Sequence, residues 1–407
     1  MSNKKRVVII GGGFAGLSAA KELGDSEFEV ILFDKTNHHL FQPLLYQVAS
    51  AALSPGDIAV PIREVLSPFK NITVLMEKID AINADASSIQ TISGDSVKYD
   101  YLIIATGARH SYFGHPEWEK FAPGMKTLND ALHIRNNLLD VYEQAEISHK
   151  DSLEPINFVV IGAGPTGVEM AGALAEISKQ TLINDFRRID SSMTKIYLIE
   201  GAPQILGMYP ASLAQKAQRY LEQLGVIVLT QSLVTHIDAE QVEIGEKKIK
   251  TKNIIWAAGN KASSLLESIG CELDCMGRAI VDSNLKVSSH KNVFVLGDAA
   301  HFAISNDQSL PGLAPVASQQ GRYVGQYLLG KTEKPFNYFD KGSMATIGKF
   351  KAVLKKDKIE IAGFPAWLAW CFVHILFLID FRNKLLVFAQ WAITFFFSKR
   401  GVRIINK

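Results

Sequence analysis

Two α/β domains built on one repeated plan, followed by an amphipathic helical tail, are predicted from three observations. A strand, a glycine turn, a helix and a second strand ending in an acid stand near the N-terminus. The same succession restarts near residue 157. From Phe364 onward the text turns aromatic and almost charge-free, cut once by DFRNK.

Each element has a local reason. Arg6–Ile10 (RVVII) reads as a strand buried on both faces, since its apolar run is unbroken and ends at a turn signal. GGGFAG is the turn, and an alanine-rich helix runs to about Leu23. Phe28–Phe33 (FEVILF) is a second strand closed by Asp34, and Tyr101–Ala105 (YLIIA) another, ended by Thr106 and Gly107. The restart gives the strand Asn157–Ile161 (NFVVI), the turn GAGPTG and the helix VEMAGALAEISK. The strands Lys195–Ile199, closed by Glu200, and Asn253–Ala257, ended by Ala258 and Gly259, complete it. This repeat is too long for a solenoid and reads as a duplicated α/β domain. Asn292–Leu296 (NVFVL) then leads into GDAA, a helix covers about Leu313 to Leu329, and KTEKPFNYFDKGSM reads as a linker.

Bulk properties bound the function. A chain of 407 residues calls for two or three domains. Three cysteines, Cys271, Cys275 and Cys371, exclude a disulfide-framed secreted scaffold and suit a reducing compartment. The run VVII is too short for a signal peptide, so none is expected. Net charge is +2, yet residues 341–407 hold twelve Lys/Arg against three Asp/Glu, leaving the remainder acidic. A basic region that is also the greasiest fits an anionic membrane surface and not nucleic acid.

The glycine turns carry the chemistry. Gly11 permits the tight turn, Gly13 lets backbone approach a pyrophosphate, and Gly16 lets helix and strand pack closely. The helix N-terminus offers N–H groups and partial positive charge to phosphates, and Asp34 is placed for a ribose hydroxyl. Gly162, Gly164 and Gly167 repeat this arrangement, making both domains Rossmann-like. The second acid, Glu200, comes later than the usual ~20 residues, after an inserted QTLINDFRRIDSS. Glu200 accepts from a 2′-hydroxyl and repels a 2′-phosphate, favouring NADH over NADPH unless Arg187 and Arg188 fold back on it. Two dinucleotide sites point to one flavin and one nicotinamide, which gives hydride transfer a direction.

In order, IGGGFAG, FQPLLYQVASAAL, YLIIATGA, VVIGAGPTGVEMAG, IIWAAG and VFVLGDAA resemble the two-dinucleotide flavoproteins of glutathione-reductase type. FQPLLYQVA, GPTGVE, LPGLAPVASQQGRYV and FRNKLLVFAQWA make the chain similar to type II NADH dehydrogenases, the single-subunit NADH:quinone oxidoreductases of respiratory chains. The resemblance implies FAD in the first site, NADH in the second, and no proton pumping. It places Gly11, Gly13, Gly16, Asp34, Ile79, Thr106, Gly107, Gly297 and Asp298 on FAD, with Pro43 and Gln47 against the isoalloxazine. Gly162, Gly164, Gly167, Glu200 and Gly259 fall to NADH. Glu169 falls at the nicotinamide–flavin junction as the catalytic candidate, besides complementing its helix dipole. Where the family carries a Gln-rich quinone motif this chain reads APVASQ, so Pro315 replaces a Gln, and Gln319 or Gln320 is left to meet the quinone. The resemblance implies an FAD-binding domain over 1–112 and 283–335, an NADH-binding domain over 113–282, and a membrane-anchoring region over 336–407. No cysteine precedes Cys271, so the redox pair of disulfide reductases is absent, and no metal site is expected.

The tail holds two apolar stretches. Phe364–Ile379 would span about 24 Å as a helix, short of the ~30 Å hydrocarbon core. Leu385–Phe397 is shorter, and Asp380, Arg382 and Lys384 are costly at a bilayer centre. Two helices lying in the interface are expected, with Trp367, Trp370 and Trp391 at headgroup depth. The basic groups 349–358 and 399–403 add attraction to anionic lipid, and His374 reads as a packed or interfacial histidine and not a ligand. This puts the protein on the cytoplasmic face of the inner membrane. A tilted span and burial of the tail in a homodimer stay open. So do two other functions: a soluble NADH-dependent reductase of an iron–sulfur protein, and a flavin-binding interaction protein switched by NADH.

Overall fold

The computed structural model describes residues 4–148, 155–305, 308–397 and 401–405. The chain divides into two compact units. The first holds residues 1–40, 59–109 and 260–340, and the second residues 41–58, 110–259 and 341–407.

At the centre of the first unit is a six-stranded sheet in the order Lys286–Val287, His290–Val295, Tyr101–Ile104, Arg6–Ile10, Glu29–Asp34, Ile72–Met76. All neighbours are parallel except the first pair. Val8 lies between Ile31 and Leu102, and Val7, Val8 and Ile9 are fully buried, as an unbroken apolar run in a doubly covered strand requires. The helix Phe14–Glu22 packs closely against Ala314–Leu328 through glycines. A Cβ on Gly321 would stand 2.0 Å from the Ala15 carbonyl oxygen, and one on Gly325 would meet the Glu22 side chain at 2.6 Å. A three-stranded antiparallel meander, Ile79–Asn83, Ser88–Thr91 and Ser96–Lys98, intervenes before Tyr101–Ile104.

The second unit repeats four of these six strands in the same order. Its parallel sheet runs Asn253–Trp256, Asn157–Ile161, Lys195–Ile199, Val226–Leu229. A second antiparallel meander, His236–Ile237, Gln241–Ile244 and Lys247–Lys250, occupies the corresponding place. Neither meander was legible in the sequence, because strands of two to five residues give too few alternations to count.

The tail departs from the sequence reading in three ways. Residues 343–363, read only as linker and basic cluster, form a three-stranded antiparallel sheet, Ser343–Thr346, Ala352–Lys356 and Ile359–Gly363. Its helices are Phe364–Phe377 and Phe381–Phe397, so the second begins inside DFRNK instead of after it. The charges there make the turn. Asp380 accepts at Oδ1 from the Arg382 N–H at 3.2 Å, an N-cap contact, and Lys384 Nζ donates to the Leu376 carbonyl at 2.8 Å, a C-terminal cap of the first helix. Third, Trp367, Trp370 and Trp391 are buried within the second unit, at 6%, 2% and 5% exposure, not at its surface. The exposed apolar side chains of the tail are instead Phe364, Leu368, Phe372, Phe381, Leu385 and Phe388, among others. Among the described residues no helix is long and apolar enough to cross a membrane.

Candidate functional site

The two glycine loops have matching geometry. Gly11 and Gly162 turn at φ +104° and +97°, in the left-handed region that favours glycine. A Cβ on Gly16 would stand 1.8 Å from the Gly11 carbonyl oxygen, and one on Gly167 would stand 1.8 Å from that of Gly162. Each loop is closed by its acid. Asp34 Oδ2 accepts from the Gly12 N–H at 2.6 Å and Oδ1 from the Thr36 N–H at 2.7 Å. Glu200 Oε2 accepts from the Ala163 N–H at 2.7 Å and Oε1 from the Ala202 N–H at 2.9 Å. The late position of Glu200 in sequence therefore leaves its place at the loop unchanged. Arg187 and Arg188 bond through their guanidinium groups to the carbonyls of Asn184 and Glu146, and neither pairs with Glu200.

Both loops fit a dinucleotide. Gly13 and Gly164 are the N-caps of their helices, neither helix has a side-chain cap, and a Cβ at either glycine would meet nothing within 4 Å. Open space and a helix N-terminus without a side-chain cap thus stand at each loop, as a pyrophosphate requires. This separates two substitutions. Gly13→Ala is expected to fold, within about 1 kcal/mol of the wild type, and to lose flavin because its methyl group fills the pyrophosphate approach. Gly16→Val is expected not to fold, because its side chain meets backbone. Thermal unfolding and the flavin-to-protein absorbance ratio distinguish them.

The first unit also carries the other flavin candidates outside Pro43 and Gln47. Ile79 opens the meander, buried at 5%. Thr106 and Gly107 follow Tyr101–Ile104, with Gly107 at φ +66°. Gly297 and Asp298 form a short turn, and a Cβ on Gly312 would stand 2.9 Å from Asp298 Oδ1. Pro315 lies in the first turn of Ala314–Leu328. The two glutamines behind it are engaged. Gln320 Oε1 accepts from the Gly297 N–H at 2.6 Å, and the Gln319 amide pairs both ways with the Phe339 backbone at 3.0 Å.

Pro43, Gln47, Gly259 and Glu169 belong to the second unit. Gly259 turns at φ +65° after Asn253–Trp256, and its carbonyl accepts from the Ser111 N–H at 3.3 Å. Glu169 sits in the first turns of the helix Pro165–Glu176, buried at 9% exposure. Burial pushes its carboxyl up to about 8. Two N–H groups oppose that rise: the Thr346 backbone, 3.3 Å from Oε1, and the Trp370 indole. The buried tyrosine Tyr46 neighbours it, its hydroxyl raised well above the ordinary range by burial and by Glu169. Gln47 donates from Nε2 to the Tyr46 hydroxyl at 2.9 Å and accepts at Oε1 from the Trp391 indole at 2.8 Å. His374 donates from Nδ1 to the Trp370 carbonyl at 2.8 Å, and burial lowers it to about 4, so it is a neutral, packed histidine. Sequence reasoning named Glu169 and Gln47 as candidates and did not name Tyr46, Thr346, Trp370 and Trp391 as the residues that surround them. Thr346 and Trp370 lie far along the chain from Glu169, and that separation leaves no local signal.

Cys271, Cys275 and Cys371 are free thiols, and no group of metal ligands assembles among the described residues. Two acid-anchored glycine loops on duplicated parallel sheets define a two-dinucleotide oxidoreductase. The pattern of the pyridine nucleotide-disulphide oxidoreductase family matches residues 5–321, and that of the NDH2 C-terminal domain matches residues 341–400. The chain is 42% identical to the type II NADH:quinone oxidoreductase NdhA of Mycobacterium tuberculosis, over 100% of this chain and 90% of that one. It is 40% identical to Ndh of the same organism, over 98% and 89%. The fold matches that of NDH2 from Plasmodium falciparum with a TM-score of 0.89 at 21% identity, covering all of both chains. The chain belongs to the type II NADH:quinone oxidoreductase family, a branch of the pyridine nucleotide-disulphide oxidoreductases.

Proposed function

We propose that the protein is a membrane-associated NADH:quinone oxidoreductase that pumps no protons, with FAD as cofactor and NADH as reductant. The observation that carries this is the duplication of an acid-anchored glycine loop in a chain with no cysteine before Cys271. One loop per unit serves two dinucleotides, and the missing thiol pair leaves a non-disulfide acceptor for the electrons. Bound FAD supplies the two-electron relay between NADH and quinone.

The residues of the chain bind, orient and hold a proton. Gly11, Gly13, Gly16, Asp34, Ile79, Thr106, Gly107, Gly297 and Asp298, with Pro43 and Gln47, hold FAD. Gly162, Gly164, Gly167, Glu200 and Gly259 hold NADH, with Glu200 selecting it by its charge against a 2′-phosphate. Forming quinol from quinone takes up two protons, one of them beyond the hydride that NADH brings. Glu169, mostly protonated at neutral pH, supplies a proton to the quinone oxygen and regains one from water. For the quinone contact, Gln319, Gln320 and Pro315 remain the candidates, and a direct amide contact requires exchange of their bonds to Phe339 and Gly297.

The tail lies on an anionic lipid surface at the cytoplasmic face, where NADH is available. The exposed phenylalanines of its helices enter the interface, and exposed Lys356 and Lys358 add attraction to anionic headgroups. Part of the second basic group, 399–400, lies outside the described residues, while Arg403 pairs with Asp185. One anaerobic titration tests the reading. NADH is expected to bleach the yellow protein at one equivalent, and added quinone to restore the colour. Protein that stays oxidised with NADH, or stays bleached with quinone, overturns it.

A further inference from the structure

The second unit contains a buried aromatic column that the proposed reaction does not use. Trp370 stands between two rings, with His374 at a centroid distance of 4.2 Å and Trp391 at 5.1 Å, both inclined by 28°. Trp391 is fixed in turn by its bond to Gln47, and His374 by its bond to the Trp370 carbonyl. The Trp370 indole N–H is buried and makes no hydrogen bond of standard geometry. It faces the Glu169 carboxyl. Leaving a buried donor without a full partner destabilises a fold, so a well-packed column that keeps one there needs a reason.

We infer that Trp370 is a positioning residue for Glu169, so that the folded tail completes the reaction site of the NADH-binding unit. The inference deepens the proposed function, since it rests on Glu169 acting in quinone reduction. The ring stack fixes the plane of the indole, and with it the direction of the N–H. The Thr346 backbone approaches Oε1 at 3.3 Å, and both donors come from residues 341–400. Other polar groups around Glu169 are Tyr46 from the helix Leu45–Ala49, with Cys371 beyond it, and Tyr209 ahead of the helix Ala211–Gln223. Glu176 lies two turns along the same helix and accepts from the Lys349 backbone. None of these is a cation, and among the described residues no ion pair reaches Glu169. Among the described residues, the ionised carboxylate is therefore supported by N–H donors of the tail.

The test is Trp370→Phe in the full-length, flavin-loaded protein, because phenylalanine keeps a ring in the stack and removes the N–H. The pH profile of NADH oxidation with a water-soluble short-chain quinone reads the effect. The midpoint assigned to Glu169 is expected to move up by about one pH unit. Flavin content should be unchanged. A profile coinciding with the wild type overturns the inference. Should the variant not fold, wild-type protein labelled with 5-fluorotryptophan decides. One of the five tryptophan resonances is expected to titrate with a midpoint near 8, and to stop doing so in Glu169→Gln. If none follows Glu169, the inference falls. If one does while Glu169→Gln reduces quinone at the full rate, the contact stands and the catalytic role of Glu169 falls instead.

Discussion

Glu169→Gln is expected to slow quinone turnover by about a hundredfold or more, within the range general acid–base groups contribute, while flavin content stays at the wild-type level. The glutamine keeps the shape and accepts from the Thr346 N–H as the carboxyl does, so the variant changes the proton and little else. Rate loss should grow as the acceptor step becomes limiting and be small with ferricyanide, which takes electrons without a proton. A variant that turns over quinone like the wild type removes Glu169 from the reaction. The same substitution has a stability signature with a fixed sign. The folded carboxyl titrates at about 8 against an ordinary 4.5, so between these values the folded chain holds a proton that the unfolded chain has released. The stabilising preference is complete below pH 4.5 and is lost as pH rises through 8. Wild type and Glu169→Gln are therefore expected to unfold at similar temperatures at pH 4, and the variant at the higher temperature at pH 9. Calorimetry at the two pH values checks this independently of turnover.

The sequence made the loops legible because everything they need is local. A strand, three glycines at fixed spacing and an acid at the next strand's end specify backbone geometry by themselves, and Gly12–Asp34 and Ala163–Glu200 close as that grammar requires. Even the insertion before Lys195–Ile199 did not hide the second acid, because the end of a strand, not a residue count, fixes its place. What the sequence did not disclose depends on distant residues meeting. Trp391 and Gln47 are 344 positions apart, and Thr346 and Glu169 are 177 apart. The three tail tryptophans were misplaced for the same reason. Amphipathic rings suit a headgroup belt and a buried hydrogen-bonding niche equally well, and only the partner, Gln47 for Trp391, decides between them. The charges of DFRNK likewise have one local meaning as helix caps and another as membrane obstacles, and the three-residue turn selects the first.

Replacing Phe372, Phe381 and Phe388 together by Ser is expected to release the protein from anionic vesicles while NADH oxidation with a water-soluble acceptor continues at the wild-type rate. These side chains are exposed at 68%, 79% and 59%, so their loss removes nothing from the core. Each phenylalanine is worth about 1.5–3 kcal/mol when fully transferred from water. Three of them, even partly immersed, contribute about 4 kcal/mol, which lowers partitioning about a thousandfold. Deleting the chain from Phe364 onward is a poorer experiment. It removes Trp370, Trp391 and the fully buried Val387, and leaves Gln47 without its indole donor, so the second unit is expected to unfold and lose every activity. Flotation with vesicles, repeated at high salt, separates the apolar from the electrostatic share, because attraction between exposed lysines and headgroups is screened while immersion of phenylalanine is not. Sedimentation separates the lipid from a second copy. A wild-type protein that is monomeric without lipid and floats with vesicles, beside a triple variant that stays in solution, identifies the occupant of this face as the membrane. A wild-type dimer converted to monomer by the same three substitutions, with vesicle binding unchanged, assigns the face to another copy of the chain and overturns the lipid reading.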